Sequence, residues 1–176
     1  MTTATAPLDL DAVNAMDCEA FVAALGAAFE HSPWVAEGAW AARPFASVEA
    51  LHAAMLDTVR RAPQATQIDF LCAHPELAGR EAQANALTND SRREQASAGL
   101  DAMTRVEMAE MARLNEAYRR RHGFPFIIAA RRHNKAQIFD EMRRRVDQDT
   151  ASEFVAAMAQ IAYITGLRVR ALLPVR

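Results

Sequence analysis

Cysteine, glycine and proline are all scarce in this chain of 176 residues, and each scarcity removes a class of protein. The two cysteines, Cys18 and Cys72, stand in apolar helical contexts without paired spacing, so neither a disulfide framework nor a zinc cluster is indicated. Both are expected to pack as small hydrophobes. Six Gly and seven Pro are too few for a sheet protein built on tight turns. A composition rich in Ala, Leu, Met, Glu, Gln and Arg instead favours helices joined by short loops. A long apolar run is missing as well: no segment reaches the roughly 18 residues of a membrane span. Nor does the start, Met1 to Pro7, carry a basic stretch followed by an apolar one, so the expected location is the cytoplasm. Excess charge of either sign is also lacking, with 20 Lys plus Arg against 22 Asp plus Glu and a net charge of -2. Nucleic acid and anionic membranes are therefore not expected partners, and a small molecule or a protein is more natural. Finally, there is no H-E-x-x-H, G-x-S-x-G, G-x-x-x-x-G-K-[ST] or G-x-G-x-x-G, which leaves zincin, hydrolase, P-loop and dinucleotide readings without residues.

What is present reads as one all-α domain over residues 1–176, compact and of roughly eight helices, with residues 1–8 expected to be flexible. Asp17 caps a segment that runs to about Phe29, with Phe21, Leu25 and Phe29 on one face, and Ser32-Pro33 opens a short helix through Trp34 and Trp40. Ser47 opens a helix carrying Val48, Leu51, Met55 and Val59, which Pro63 stops. Ile68 to Cys72 leads directly into His74-Pro75. Thr104 with Glu107, Asn134 with Gln137 and Thr150 with Glu153 repeat a capping-box pattern ahead of three later helices, and Gly123 is placed to end the first of them near His122. The run Phe124-Pro125-Phe126-Ile127-Ile128-Ala129-Ala130 is too short and apolar for periodicity to settle. It is read as a buried extended connector, because Pro125 cannot continue the preceding helix. Its main-chain donors and acceptors then need partners, some of which a polar ligand can supply.

Few residues stand out as chemical. His52 lies near the apolar stripe of its helix and is read as a satisfied, buried or half-buried imidazole, while His31, His122 and His133 sit at helix ends or in polar loops. His74 differs, since Pro75 forces it out of helical geometry just as an apolar helix finishes. It is either a helix-terminal histidine bonding the last carbonyls or an imidazole offered at the rim of the core. Ser91-Arg92-Arg93-Glu94-Gln95 begins as a capping box, and the same helix start is a favourable dock for a carboxylate or carbonyl oxygen. In the C-terminal helix Phe154, Met158, Ile161, Thr165, Arg168 and Leu172 recur at helical steps, which turns the Arg168 guanidinium toward the core. It needs either an internal carboxylate, for which Glu94 is a candidate, or a ligand carboxylate. The basic runs Arg119 to Arg121 and Arg143 to Arg145 read as decoration of solvated helix faces.

Taken in order, His74-Pro75-Glu76-Leu77-Ala78-Gly79, Leu87-Thr88, Ser91-x-x-Glu94-Gln95, Ala98-Gly99-Leu100, Leu114-Asn115, Tyr118, Gly123-Phe124-Pro125-Phe126-Ile127 and Ile161-x-x-Ile164-x-x-Leu167-Arg168 resemble the 2-oxo-4-hydroxy-4-carboxy-5-ureidoimidazoline (OHCU) decarboxylase family. The resemblance covers roughly residues 10 to 173. It implies an all-helical homodimer that needs neither metal nor organic cofactor and converts OHCU, a small molecule, to (S)-allantoin and CO2 at the end of urate breakdown. It also implies His74, Glu94 and Arg168 as catalytic residues. Pro75, Ser91, Arg92, Arg93, Glu94, Gln95 and Arg168 become substrate contacts, and Phe126, Ile127, Ile128, Ala129 and Ala130 hold the ligand through main-chain groups. One departure is Thr165-Gly166 inside a helix, where glycine costs about 1 kcal/mol relative to alanine. The ending Leu173-Pro174-Val175-Arg176 carries no peroxisomal tripeptide, which again points to the cytoplasm. Two rival expectations are a non-catalytic helical interaction domain and a decarboxylase of a related ureide.

Overall fold

The computed structural model describes residues 8–174; residues 1–7 of the expected flexible start, and Val175 and Arg176 of the C-terminal ending, lie outside the described residues. Regular structure among the described residues is wholly helical, with ten α-helices and two 3₁₀ turns. The pattern suggests roughly eight, and the two shortest, α1 (Leu10–Ala15) and α6 (Arg80–Gln83), bury one side chain and none, so they leave no stripe to read. No helix among the described residues is long and apolar enough to cross a membrane. The helices form two compact units.

The first unit holds residues up to Pro63 and those from Ile164 onward. Here α2 (Cys18–Leu25) starts at its Asp17 cap and runs into a 3₁₀ turn, Gly26–Phe29. Then come α3 (Trp34–Trp40) and α4 (Val48–Arg61), the latter capped by the Ser47 hydroxyl. The apolar repeat fills the core as its spacing requires: Phe21, Leu25, Phe29, Leu51, Met55 and Val59 are all fully buried. Residues of α10 (Thr150–Leu172) from Ile164 onward also belong to this unit.

Gly166 now has a physical reason. A Cβ built there would stand 3.1 Å from Cε1 of His52, whose Nε2 makes a 2.9 Å hydrogen bond to the buried Thr165 hydroxyl. The helix accepts glycine's entropic cost so that an imidazole can lie against its backbone. Burial, seconded by the charges of Arg170 and Arg60, holds the His52 imidazole below its ordinary pKa of 6.5. The unfolded chain therefore binds a proton before the folded one does, so the contribution of His52 is complete above pH 6.5 and is lost as pH falls toward the depressed folded value. Thermal melting of wild type should drop more between pH 7.5 and 5.5 than that of His52→Gln; parallel profiles would show that the histidine carries no such linkage.

The second unit spans Gln64 to Tyr163. It contains α5 (Gln64–Cys72), α6, α7 (Asn89–Ser97), α8 (Arg105–His122), α9 (Lys135–Arg145) and α10 as far as Tyr163. The boxes at Thr104/Glu107 and Asn134/Gln137 are both formed, and Gly123 ends α8 in the left-handed conformation at φ 81°. The third expected box is not formed. Asp149 caps α10 by accepting from the Ser152 amide at 2.9 Å, while Thr150 hydrogen-bonds His122 and Glu153 is buried. An aspartate one residue earlier wins because its short carboxylate reaches the free amides of the first turn and favours their partial positive charge. Between α8 and a 3₁₀ turn, Ala130–Arg132, the connector Phe124 to Ala129 is buried and non-helical, as its composition suggests. Cys72, by contrast, is exposed, its thiol 3.5 Å from the Gly123 carbonyl, because the last turn of α5 turns it outward.

Candidate functional site

His74 stands two residues past the end of α5. Its amide closes the helix on the Leu71 carbonyl at 3.1 Å, and Pro75 then prevents another turn. The imidazole is only 7% exposed and meets Phe70 edge-on, with ring centroids 6.0 Å apart. The loop that follows is fastened at nearly every peptide. Gln95 Oε1 accepts from the Ala78 amide at 2.8 Å and its Nε2 donates to the Glu76 carbonyl at 3.4 Å. Asn115 Nδ2 donates to the Leu77 carbonyl at 2.9 Å, and Arg119 lies 3.0 Å from the Glu76 carboxylate. At Gly79 a Cβ would come within 2.7 Å of the Glu76 Cβ, so the loop can double back this tightly only on glycine. Pro75 is half-buried in this loop. The arrangement fixes the main chain just beyond a buried imidazole at the end of a helix.

α7 begins one turn earlier than the expected Ser91/Glu94 box. Thr88 is the cap, accepting from the Ser91 amide at 3.3 Å, and Ser91 is the third residue of the helix. Thr88 precedes Asn89-Asp90, and an acid in the first turn suits the helix dipole as well as Glu94 would have suited a box. Ser91 is buried, Glu94 half-buried, and both remain on the helix that carries Gln95. Gln95, 7% exposed, spends its amide on the 76–78 loop. Arg92 and Arg93 are exposed; Arg92 Nη2 reaches the carbonyls of Asn85 and Leu87 at 3.3 and 3.4 Å. Arg92 also borders a cleft of about 440 Å³ walled by Ala78, Leu87, Gln95 and Leu100.

Phe126, Ile127, Ile128, Ala129 and Ala130 are each at most 4% exposed. Two side chains anchor this stretch: Arg145 Nη1 donates to the Ile127 carbonyl at 3.2 Å, and Gln160 Oε1 accepts from the Ala129 amide at 2.9 Å. Arg145 corrects the solvated-face expectation for the run Arg143 to Arg145. Arg143 and Arg144 pair with Asp140 and Glu141 on the surface, but Arg145 is 4% exposed. A three-residue run spans most of a helical turn, so it cannot lie on one face. Position 145 follows the buried Ile138 and Met142 at steps of four and three, which is the signal in the sequence that the run concealed.

Arg168 is buried, as its place on the helix requires, and its ionic partner is Glu30, with Nη1 to Oε2 at 2.5 Å. From the sequence Glu94 is a candidate for such a carboxylate; Glu30 is not one that the pattern singles out. Glu30 escapes sequence reading because it lies in the turn after the 3₁₀ segment, at φ 45°, outside any periodic pattern. A non-glycine residue held there is under backbone strain, tolerated where the surroundings fix it. Among the described residues, no group of three His, Cys, Asp or Glu side chains could hold a metal ion.

Comparison with known proteins gives this geometry a context. The OHCU decarboxylase family model matches residues 14–170. The 2-oxo-4-hydroxy-4-carboxy-5-ureidoimidazoline decarboxylase of Haloferax volcanii is 44% identical over 161 residues, 92% of this chain and 94% of that protein. Its namesake from Halalkalicoccus jeotgali is 38% identical over 165 residues, covering 94% and 92%. Among solved structures, an (S)-allantoin synthase aligns with a TM-score of 0.73 at 26% identity, covering 94% of this chain and 54% of that one, so the chain spans about half its length. With a family match over residues of both units and relatives alike over nearly their whole lengths, this chain belongs to the OHCU decarboxylase family.

Proposed function

We propose that the chain decarboxylates OHCU to (S)-allantoin. The observation that carries this reading is the buried His74 imidazole beside a loop that Gln95 and Asn115 clamp, in a chain alike over nearly its whole length to OHCU decarboxylases. Losing CO2 leaves an electron pair on the ring carbon. The substrate's own imidazolinone, with a carbonyl conjugated through ring nitrogen, accepts that pair, so the reaction draws on no separate electron sink. The protein has to orient the departing carboxylate, stabilise the enolate-like intermediate and deliver a proton to one face.

His74 is the acid/base, since an imidazole exchanges protons near neutrality. Ser91 and Glu94 bind the ureido group from one helix, and Pro75 shapes the wall beside the imidazole. Main-chain groups between Phe126 and Ala130 take further N–H and C=O groups of the substrate. Arg168 binds a substrate oxygen, a role that suits a planar guanidinium held beside Glu30. Gln95 supports catalysis through the loop it holds, and Arg92 and Arg93 are assigned to substrate approach. The protein works in the cytoplasm as a homodimer without metal. Apolar side chains left at the surface, with Val106 79% and Val155 68% exposed, suit such pairing.

An NMR time course with freshly generated OHCU tests the reading. CO2 release faster than the spontaneous reaction, together with optically active allantoin, is the expected result. Release at the uncatalysed rate with racemic product would overturn it.

A further inference from the structure

Arg145 is buried at a cost that its neighbours explain only in part. Its Nε donates to Glu153 Oε2 at 3.0 Å, its Nη2 lies 2.9 Å from the same oxygen, and the Tyr118 hydroxyl donates to that oxygen at 2.5 Å. Burial, reinforced by the Glu153 carboxylate, pushes the Tyr118 phenol far above its usual pKa, so it stays a donor at every working pH. The guanidinium covers the Phe126 ring at 4.5 Å, and the Tyr118 ring meets Phe126 edge-on at 5.3 Å. An apolar trio of similar volume commonly stabilises a core as well as a buried ion pair does or better. What an apolar trio cannot do is fix the direction of a peptide group.

Two peptide groups are fixed in this way. The Ile127 carbonyl is taken by Arg145 and the Ala129 amide by Gln160. In a planar trans peptide the C=O and N–H point in opposite directions. Anchoring the Ile127 carbonyl therefore turns the Ile128 amide away from Arg145, and anchoring the Ala129 amide turns the Ile128 carbonyl away from Gln160. Ile128 is 4% exposed, and no hydrogen bond to its amide or carbonyl occurs among the described residues. Buried main-chain groups are seldom left so. A neighbouring donor and acceptor on one residue match the N–H and C=O of a ureide.

We propose that Arg145, oriented by Glu153 and Tyr118, and Gln160 are positioning residues that aim the main-chain amide and carbonyl of Ile128 at the substrate. The inference rests on the decarboxylase reading. Its test is the triple variant Tyr118→Phe/Arg145→Met/Glu153→Leu beside Gln160→Ala, each measured for melting temperature, for kcat and KM separately, and for the Ile128 amide shift on titration with (S)-allantoin.

The triple variant should melt at or above wild type while kcat/KM falls about 10²-fold, the loss expected from an ångström of misplacement, and the Ile128 shift should disappear. A folded triple variant with wild-type kcat/KM and an unchanged shift would overturn the proposal. If the triple variant does not fold, Gln160→Ala decides. It puts the best helix former into α10, which offsets part of the cost of leaving the Ala129 amide unsatisfied, and should lose about 10-fold in kcat/KM with the fold intact, whereas wild-type kinetics would overturn the proposal. Failure of the decarboxylase reading shows itself separately, as a wild-type protein that does not accelerate CO2 release at all.

Discussion

His74→Asn is expected to yield a protein that melts within about 1 kcal/mol of wild type and still binds (S)-allantoin, but whose kcat is lower by about 10²- to 10⁴-fold. The stability half follows from what holds the residue. The amide of position 74 closes α5 on Leu71, and Pro75, Gln95 and Asn115 shape the loop beyond it, none of them through the imidazole. An asparagine keeps the backbone bond and fills much of the space beside Phe70. The catalytic half follows from chemistry, since an amide cannot take or give a proton near neutral pH. The measurement is a pair, a thermal melt and single-turnover CO2 release, with the product's optical activity as a third readout. A residual reaction that yields racemic allantoin would mean that His74 also selects the face protonated. Wild-type turnover in the variant would leave His74 as a packing residue at the end of α5.

The elements that could be read in the sequence are those whose signals are local. Thr104 with Glu107 and Asn134 with Gln137 form their boxes where the pattern puts them, and Gly123 stops α8, because capping involves residues three or four apart. The connector was legible for a similar reason: Pro125 forbids helix, and seven apolar residues must be buried somewhere. The Ser91/Glu94 and Thr150/Glu153 boxes mislead because serine, threonine and glutamate also have non-local uses. Thr88 and Asp149 cap those helices instead, which leaves Glu153 for Tyr118 and Arg145. The partners of buried charges were not legible at all. Glu30 and Arg168 are 138 positions apart, and Arg145, although in step with the buried Ile138 and Met142, lies within a run of arginines that looks solvated, so the pattern names neither partner. At the candidate site, His74 and Arg168 could be singled out from their own surroundings. Glu94 as a catalytic group, and the role of Gln95, depended on the family resemblance, and the structure gives Gln95 to the loop.

Arg168→Met is expected to destabilise the protein by about 3–5 kcal/mol, because it leaves the Glu30 carboxylate 5% exposed and without its guanidinium. For a chain of this size that is a fall of roughly 6–20 °C in melting temperature. The loss alone cannot separate a structural role from binding, since an unfolding protein loses activity for either reason. The double variant Glu30→Gln/Arg168→Met separates them. Both charges are gone, so no buried ion is left uncompensated, and most of the stability should return. Activity should not: if Arg168 binds a substrate oxygen, kcat/KM of the refitted protein stays about 10²- to 10³-fold low, the usual cost of one lost donor to developing charge. Arg168→Lys supplies the geometric control, since an ammonium keeps the charge beside Glu30 but cannot present a planar fork to two oxygens. It should melt near wild type and bind poorly. A double variant that regains both melting temperature and kcat/KM would assign Arg168 wholly to Glu30, and the substrate oxygen would need a different donor.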